Sequence, residues 1–399
     1  MQHEQDVVIV SGVRTPIGKL GGALKDVKAH QLGALAAGEA LKRAGGLDPA
    51  RLDEVIAGDC LQCFDEANTA RTCALAAGIP DHVPAYTIQR QCASSMQALF
   101  SGVQAIKSGD ADIILVLGVE SMSSGPYYSA GARFGCRLMN HEFTDSVWEL
   151  LHSGSRQLGE AMIMGQTAEN LADKYDISRE DQDQVALESH NKAEAAITGG
   201  RFAQELIPVE IPGKKGTTVV DQDEHPRFGM TIQDLQKLKP VFKKDGTVTA
   251  GNSSGLNDGA AAAVIMTRKR ADELGLAPMA VIQSQAAAGV DPALMGYGPV
   301  PATEKALART DFSLEDMELI ELNEAFAAQY LACERALGLS RTITNVNGSG
   351  ISLGHPVGCT GLRITVSLIH EMARRDAHVG LATLCVGGGM GMATIVTRD

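Results

Sequence analysis

The residues that could do covalent chemistry begin with one cysteine. Cys92 follows the strand-like run AYTIQRQ, and apolar residues then recur at helical spacing from Met96 to Ile106. A thiol at a helix N-terminus is favoured as the thiolate, because unpaired backbone N–H groups face it, and Arg90 adds a positive charge. A lone buried cysteine is more commonly structural, so Cys92 becomes a nucleophile only if the fold brings a base to it.

A candidate base and several other polar groups occur near the end of the chain. His355 lies in the glycine-rich turn GHPVGCTG, and imidazole is the usual base for a nucleophilic thiol. Cys385 ends an apolar run, and the glycines after it, beginning with Gly387, could present N–H groups to an oxyanion. A dinucleotide-binding turn would need a helix there, and only eight residues follow Gly391. Asn323 also follows an apolar run, where it could orient a water or simply cap a helix.

Two thiols and an imidazole together predict covalent acyl transfer with a separate proton transfer at carbon. Cys92 would accept the acyl group as a thioester, and Cys385 would move the proton on the carbon next to a second thioester. An enolate forms at that carbon, so an oxyanion site is needed there as well. The expected reaction is a reversible Claisen condensation or thiolysis.

The elements that must position these groups alternate along the chain. Strand-like runs such as DIILVLG are apolar throughout, which predicts strands covered on both faces, and helical patterns separate them. This alternation predicts an α/β fold with mainly parallel central strands. A repeat is visible as well, because 26 residues separate Cys92 from Gly118 and 26 separate Cys359 from Cys385. We therefore expect two similar α/β halves, in which the turns before Cys92 and Cys359 face each other.

Composition and charge exclude some classes of function. The 399 residues are 44% hydrophobic, which is enough for a large core, and the net charge of −13 argues against sequence-independent binding of nucleic acid. No run is long and apolar enough to predict a membrane span, and the N-terminus lacks a signal-peptide pattern. We expect a cytoplasmic protein whose eight cysteines are reduced. Cys60 and Cys63 form a lone C-x-x-C, so no metal site is predicted.

The order of short motifs along the chain resembles that of the thiolases, the acetyl-CoA acetyltransferases and 3-ketoacyl-CoA thiolases. The motifs are ESMS, MGQTAENLA, ISREDQDQVALESHNKA, GTVTAGNSSGLNDGAAA, MGYGPVPA, NEAF, GHPVGCTG and CVGGGMG, and the likeness spans essentially the whole chain. The resemblance implies a thiolase fold, with two similar α/β halves in a five-layered αβαβα arrangement and a loop domain inserted over coenzyme A. The expected division is residues 1–121 with 252–275 for the N-terminal half, 122–251 for the loop domain and 276–399 for the C-terminal half.

The resemblance also implies roles for single residues. Cys92 resembles the acyl-accepting nucleophile, His355 its activating base, and Cys385 the acid and base for the acetyl methyl group. A water held by Asn323 would complete one oxyanion hole with His355, and the N–H groups of Cys92 and Gly387 would form a second. Coenzyme A is implied as a substrate, with no separate cofactor. The residues that match positions around coenzyme A are Arg227 near the adenine, Ser254 at the pantetheine and Met164, and those of the acyl pocket are Met295 and Phe326.

Several positions depart from the family pattern, and two of these departures, at Ile163 and at 153–155, bear on substrate choice and not on reaction type. Ser95 stands where the nucleophile motif usually has glycine, and Val119 stands where the motif before ESM has a second glycine. Ile163 replaces a histidine common in acetoacetyl-CoA enzymes, and SGS at 153–155 replaces a segment near the pantetheine. An alternative is therefore a thiolase for a bulky or aromatic 3-ketoacyl-CoA in a degradation pathway, with or without an accessory subunit.

Two other functions compete with thiolase activity. A decarboxylating ketoacyl synthase would be expected to have a histidine in place of Cys385, and lipid-transfer relatives commonly have HDCF where this chain has NEAF. The first pattern favours the thiolase over the synthase, and the second favours it over a non-catalytic binder of coenzyme A or lipid. The segment ARFGCRL at 132–138 resembles a loop used for tetramer contacts. We therefore expect a homodimer or homotetramer, with CoA thioesters as ligands and neither nucleic acid nor a membrane as a partner.

Overall fold

The computed structural model describes residues 3–138, 140–153, 161–214 and 216–399. The strands are β1 (Val7–Arg14), β2 (Gly18–Lys19), β3 (Glu54–Gly58), β4 (Ala85–Ile88), β5 (Ile113–Ser121), β6 (Tyr127–Tyr128), β7 (Thr144–Asp145), β8 (His152–Ser153), β9 (Met162–Ile163), β10 (Val209–Gly213), β11 (Gly216–Val220), β12 (Asn257–Thr267), β13 (Ala280–Gly289), β14 (Leu319–Leu322), β15 (Val379–Val386) and β16 (Met390–Thr397). The helices are α1 (Ala29–Arg43), α2 (Thr69–Ala76), α3 (Ser94–Ser108), α4 (Ser146–Leu150), α5 (Met164–Lys174), α6 (Arg179–Thr198), α7 (Ile232–Gln236), α8 (Arg268–Glu273), α9 (Pro299–Leu307), α10 (Ala327–Leu337), α11 (Gly350–Leu353) and α12 (Val357–Arg375).

The main sheet shows the two predicted halves as mirror-ordered sets of strands. Its order is β14-β15-β16-β13-β1-β12-β5-β3-β4, with β2 beside β12. The halves join at the centre, where β1 and β13 pair antiparallel through Val8 with Val281 and Ile9 with Ala280. Outward from this seam, β1-β12-β5-β3 on one side corresponds to β13-β16-β15-β14 on the other. The prediction of two similar α/β halves is confirmed.

The expectation of mainly parallel strands is wrong. Among the described strands of the main sheet, β3 pairs parallel with β4 and β5, and β14 with β15, whereas the pairs nearer the seam are antiparallel. For one of these pairs the reason is local, because β15 and β16 are joined by only the three residues 387–389. Gly388 and Gly389 take left-handed backbone angles there, so the chain turns back as a hairpin, and a hairpin makes adjacent strands antiparallel.

The helices form three layers around the two half-sheets. α1 and α2 pack on the outer face of the N-terminal half, α9 packs on the outer face of the C-terminal half, and α3 and α12 lie between the halves. Every residue of α12 from Val357 to Met372 is buried, as expected for a helix enclosed on all sides. This αβαβα order confirms the predicted five-layered arrangement.

The two central helices cross near their first turns, which brings the predicted chemistry together. Ser95 Oγ in α3 donates to the Cys359 carbonyl and accepts from the Leu362 N–H in α12, both at 2.9 Å. Cys92 precedes α3 by two residues, whereas Cys359 lies inside α12. The turns therefore face each other as predicted, but the two cysteines do not occupy corresponding positions.

The segment between β5 and β12 contains the small strands β6–β11 and the helices α4–α7. Its helix α5 packs against α10 of the C-terminal half in a cluster that includes Met164, Leu171 and Phe326. Fully buried Arg14 of β1 pairs with Glu205 and Asp223 and ties this segment to the N-terminal half as well. The boundaries at 121/122, 251/252 and 275/276 stay a prediction. Across the described ranges, no helix is long and apolar enough to cross a membrane.

Candidate active site

The turn between β4 and α3 presents Cys92 in a strained conformation. Gln91, which precedes it, has a left-handed φ of 46°, a conformation that costs a non-glycine residue on the order of 1–2 kcal/mol. Ser94 Oγ holds the turn by donating to the Gln91 carbonyl at 2.7 Å and accepting from the Arg90 N–H at 2.9 Å. Cys60 Sγ also donates to the Gln91 carbonyl, at 3.0 Å. These contacts therefore hold Gln91 in its strained conformation and fix the position of the Cys92 thiol. Strained backbone of this kind is common at functional sites.

The thiol of Cys92 is half-buried and accepts hydrogen bonds from the backbone N–H groups of Gly387 and of Cys92 itself. Burial nevertheless raises the pKa of Cys92 to about 11. The expectation that a helix N-terminus favours the thiolate here is wrong, because loss of hydration outweighs the two N–H contacts. In the resting protein Cys92 is a neutral thiol, and a base must take its proton as it reacts.

His355, the predicted base, lies in the turn between α11 and α12 and lines the same cavity as Cys92. Its backbone N–H donates to Asn257 Oδ1 at 2.9 Å, and its ring Nδ1 lies 2.7 Å from Thr360 Oγ1. The Thr360 hydroxyl donates to the Pro356 carbonyl at 2.9 Å, so its oxygen accepts a proton from Nδ1. This contact assigns the proton to Nδ1 and leaves Nε2 with a free lone pair. Among the described residues, buried Nε2 has no hydrogen-bond partner.

Burial, followed by the positive charge of Arg363, lowers the pKa of His355 to about 3. The imidazole is therefore neutral at physiological pH, as a proton acceptor must be. A neutral imidazole beside a neutral thiol does not form a stable ion pair when their pKa values lie this far apart. Proton transfer from Cys92 to His355 is expected only as the sulfur attacks a carbonyl and the negative charge moves onto the substrate oxygen.

Cys385 is fully buried at the end of β15. Burial raises the pKa of Cys385, and the nearby thiols of Cys92 and Cys333 raise it further. A neutral thiol that can give a proton to carbon is the expected resting form.

The last two predicted site residues contact His355 and Cys92, respectively. Asn323 follows β14, and its Nδ2 lies 3.5 Å from His355 Nδ1, while its buried Oδ1 has no partner within the described part of the chain. Gly387 opens the hairpin after β15 and donates its N–H to Cys92. A Cβ at Gly387 would come within 2.7 Å of Met164 Cε, so a larger residue would press on the cavity wall.

One cavity of about 370 Å³ joins the nucleophile, the base and the second thiol. It extends from fully buried Cys385 to exposed Arg227. The other predicted coenzyme A and acyl-pocket residues also line it, namely Ser254, Met164, Met295 and Phe326. Most of the remaining wall is apolar and comes from Leu150, Leu151, Val241, Phe242 and Leu256, among others. A narrow thioester chain with an apolar acyl end fits such a lining.

Three residues around the site were missed in the sequence. His225 lines the cavity, and burial lowers its pKa to about 4. Asn257 holds the His355 backbone, and Thr360 holds its ring. Asn257 and Thr360 lie in the quoted motifs GTVTAGNSSGLNDGAAA and GHPVGCTG, and His225 stands two residues before Arg227. Only the contacts made across the fold distinguish them from their neighbours.

The departures from the family pattern fall in different places. Ile163 lines the cavity, so it can affect which acyl group is accepted. Ser95 lies away from the cavity, where its hydroxyl bonds α3 to α12. Val119 is buried against α1 in the N-terminal core. Residues 154 and 155 lie outside the described residues.

The two cysteines of the C-x-x-C pair make separate contacts. Cys60 Sγ donates to the Gln91 carbonyl, and Cys63 Sγ donates to the Ser124 carbonyl at 3.5 Å. In the described ranges, no group of three or more potential metal ligands comes together. That a metal is not needed stays a prediction.

Comparisons with known proteins match the whole chain to one family. The model of the thiolase N-terminal domain matches residues 7–269, and that of the thiolase C-terminal domain matches residues 276–398. An acetyl-CoA acetyltransferase of Pseudomonas aeruginosa is 50% identical over 396 residues, which cover 99% of this chain and 100% of that protein. The beta-ketothiolase BktB of Cupriavidus necator is 48% identical over 398 residues, which cover 99% of each chain.

Solved structures agree with these relatives. The crystal structure of the Bacillus anthracis acetyl-CoA acetyltransferase superposes with a TM-score of 0.96 at 52% identity and covers 100% of both chains. The structure of human mitochondrial 3-ketoacyl-CoA thiolase in complex with CoA superposes with a TM-score of 0.94 at 44% identity, covering 100% of this chain and 99% of that one.

Proposed function

Because this chain belongs to the thiolase family of acyltransferases, we propose that it cleaves 3-ketoacyl-CoA with coenzyme A, and runs the reverse condensation, through an acyl thioester on Cys92. The cavity that joins Cys92, His355 and Cys385 supports these roles more directly than any other observation. A protein that only bound coenzyme A would not need two thiols and an imidazole in the same cavity.

In the cleavage direction, Cys92 Sγ attacks the 3-keto carbon as His355 Nε2 takes the thiol proton. The bond between carbons 2 and 3 breaks, which leaves the acyl group on Cys92 and an acetyl-CoA enolate. Cys385 gives its proton to that enolate. The thiol of a second coenzyme A then gives its proton to the Cys385 thiolate as its sulfur attacks the acyl thioester. Acyl-CoA leaves, and the Cys92 sulfur takes back the proton held by His355. Condensation follows the same steps in reverse.

Two oxyanion sites serve the two carbonyl groups in this proposal. The N–H groups of Cys92 and Gly387 already converge on the Cys92 sulfur, where the acyl oxygen would develop charge. A water held by Asn323, together with a donor at His355, would stabilise the enolate of the second thioester. Asn323 touches the imidazole, which supports their shared role.

Coenzyme A would lie along the cavity with its charged end at Arg227. Arg227 is exposed and cationic, while the walls inward from it are largely apolar, so a phosphorylated head and a pantetheine arm match the two ends. Ser254 and Met164 would contact the arm, and Met295 and Phe326 would contact the acyl group. A human relative of the same fold was solved in complex with CoA, which supports coenzyme A as a ligand.

We propose a short 3-ketoacyl-CoA, such as acetoacetyl-CoA, as the main substrate. Several relatives that share 48–50% sequence identity with this chain carry the name acetyl-CoA acetyltransferase. The comparisons do not favour the alternative of a bulky or aromatic substrate. Ile163 on the cavity wall is the residue whose change from histidine could extend the range toward longer apolar chains.

We also propose that the protein forms a homodimer or homotetramer and acts in the cytoplasm. Large apolar side chains are exposed in the segment after β5, at Tyr127, Phe134, Leu138 and Phe143. Exposed apolar side chains in one segment are typical of contacts between subunits. Sedimentation of the purified protein measures the assembly, and a monomer at micromolar concentration would contradict it.

The test is an assay of thiolysis with coenzyme A and a panel of short, long and aromatic 3-ketoacyl-CoA substrates, compared by kcat/KM. We expect acetoacetyl-CoA to give the highest value. A preference for aromatic substrates would overturn the substrate assignment. Absence of cleavage for every member of the panel would overturn the thiolase function.

A further inference from the structure

We propose that Glu120, a buried carboxylate outside the cavity, is a positioning residue that holds the Cys92 turn and the His355 turn at their working separation. The inference rests on the proposed function, since it concerns the geometry of the same reaction. It adds a residue that touches neither substrate nor the reacting atoms.

Glu120 joins the two halves of the molecule through backbone hydrogen bonds. It lies in β5 and is fully buried. Its Oε2 accepts from the Gly358 N–H at 2.9 Å, and its Oε1 accepts from the Leu61 N–H at 3.2 Å. Gly358 belongs to the first turn of α12, three residues after His355. The N–H groups of a first helical turn lack partners within the helix, so this carboxylate supplies one from the opposite half.

A second set of contacts carries the same connection to the nucleophile. Cys60, the neighbour of Leu61, donates its thiol proton to the Gln91 carbonyl at 3.0 Å and lies 3.3 Å from Ser94 Oγ. Gln91 is the strained residue that precedes Cys92. Glu120 is therefore linked by hydrogen bonds to Gly358 near His355, and through the loop at 60–61 to Gln91 beside Cys92. We call this chain of contacts the path.

The packing around this path leaves little room for the turns to shift. A Cβ added at Gly358 would lie 2.6 Å from the Val119 carbonyl oxygen and 3.0 Å from the Cys60 backbone nitrogen. The start of α12 is thus seated directly on the ends of β3 and β5. In a close-packed interior, displacing one such contact moves its neighbours.

Glu120 belongs to an acidic cluster, defined as Asp59, Glu66 and Glu120, whose burial is costly. Each side chain is at most 1% exposed, and Asp59 Oδ1 has no hydrogen-bond partner in the part of the chain that the structure describes. Burial and repulsion from Asp59 raise the pKa of Glu120. Burying these polar groups lowers the stability of the fold. A role in fixing the Cys92 and His355 turns would account for their presence in the core.

The test compares Glu120→Gln with Glu66→Gln. Both changes turn a buried carboxyl into an amide of the same shape. A glutamine at 120 has one accepting oxygen, so its NH₂ group must face either the Leu61 or the Gly358 N–H. Glu66 contacts His30 Nδ1 at 2.5 Å and touches neither turn, so its variant is the matched control. Wild type and both variants are compared by kcat, KM for coenzyme A, and thermal unfolding.

We expect Glu120→Gln to lower kcat by roughly 10- to 100-fold, as small misplacements of catalytic groups do, while KM for coenzyme A changes by less than about threefold. Glu66→Gln should keep kcat within about threefold of the wild type, whatever its Tm. Equal kcat for Glu120→Gln and the wild type would overturn the inference. A wild type without thiolysis would instead overturn the proposed function, so the two failures are distinguishable.

Variants of Cys60 keep the inference testable if Glu120→Gln does not fold. Cys60→Ala removes the donor to the Gln91 carbonyl and should lower kcat by about fivefold, the scale of one neutral hydrogen bond. Cys60→Ser keeps a donor and should restore most of the loss. Equal kcat values for the wild type and both variants would contradict the proposed path.

Discussion

In each half of the molecule, the end of a strand meets the start of a central helix that belongs to the other half. In the C-terminal half, Cys385 at the end of β15 and Gly387 after it meet the Cys92 turn before α3, and Asn323 after the neighbouring strand β14 contacts His355. In the N-terminal half, Asp59 after β3 and Glu120 in β5 meet the first turn of α12. The two regions share this arrangement of strand end and helix start, but they differ in the residues that occupy it.

The difference lies in whether a cavity opens beside the polar groups, since Asp59 Oδ1 near α12 also lacks a partner among the described residues. Both oxygens of Glu120 accept backbone N–H groups, and its surroundings are filled. Near α3, by contrast, His355 Nε2 and Asn323 Oδ1 have no partner among the described residues, and a cavity opens beside them. A duplicated scaffold can therefore use one strand-end position for chemistry and the other for holding that chemistry in place.

The largest expected effect is the difference in kcat between alanine variants of Cys92, before α3, and Cys359, in α12. Cys92→Ala should lower kcat for thiolysis by on the order of 10⁴-fold or more, because the acyl acceptor is lost. Cys359→Ala, in the facing helix, should keep kcat within about threefold and lower the free energy of unfolding by about 1–2 kcal/mol. Steady-state kinetics and chemical unfolding measure both. Comparable kinetic losses for the two variants would remove the distinction between the two places.

A pH profile tests whether Cys92 is a neutral thiol at rest. Below a pKa of about 11, the thiolate fraction rises about tenfold per pH unit, so alkylation of Cys92 by iodoacetamide should rise about 100-fold from pH 7 to pH 9 without levelling off. Peptide mapping by mass spectrometry follows the site, with exposed Cys136 as an internal reference. A plateau below pH 8 would mean a stable thiolate–imidazolium pair and would contradict this assignment.

A smaller effect is expected from the hydroxyl that orients the base. Thr360→Val removes the partner of His355 Nδ1 and should lower kcat by about tenfold, with little change in KM for coenzyme A. Thr360→Ser keeps the hydroxyl and should retain most of the wild-type kcat. If valine and serine give the same kcat, the hydroxyl does not set the tautomer of the imidazole.

The smallest effect concerns the crossing of the two helices. Ser95→Gly removes the hydroxyl that accepts from Leu362 N–H and donates to the Cys359 carbonyl, so the free energy of unfolding should fall by about 1–2 kcal/mol. Turnover should stay within about threefold, because Ser95 does not line the cavity. Ser95→Ala is the matched variant that loses the bonds and keeps the Cβ. A large loss of kcat with unchanged stability would place Ser95 in the active site after all.

Much of the site could be predicted because its residues lie in short motifs with distinctive spacing. The same reasoning missed the antiparallel pairs, since an apolar strand buried on both faces looks alike in parallel and antiparallel sheets. The pKa of Cys92 was predicted in the wrong direction, because its burial depends on chain segments distant in sequence. Glu120 could not be found either, since its partner Gly358 lies 238 residues away.

Mass spectrometry after incubation with acetyl-CoA tests the division of labour between the two thiols most directly. We predict one acetyl group on the peptide that contains Cys92, in the wild type and in Cys385→Ala, because Cys385 acts only in the later step at carbon. Cys92→Ala should carry none. An acetyl group on Cys385 in the wild type, or no adduct in either Cys92-containing protein, would contradict the account.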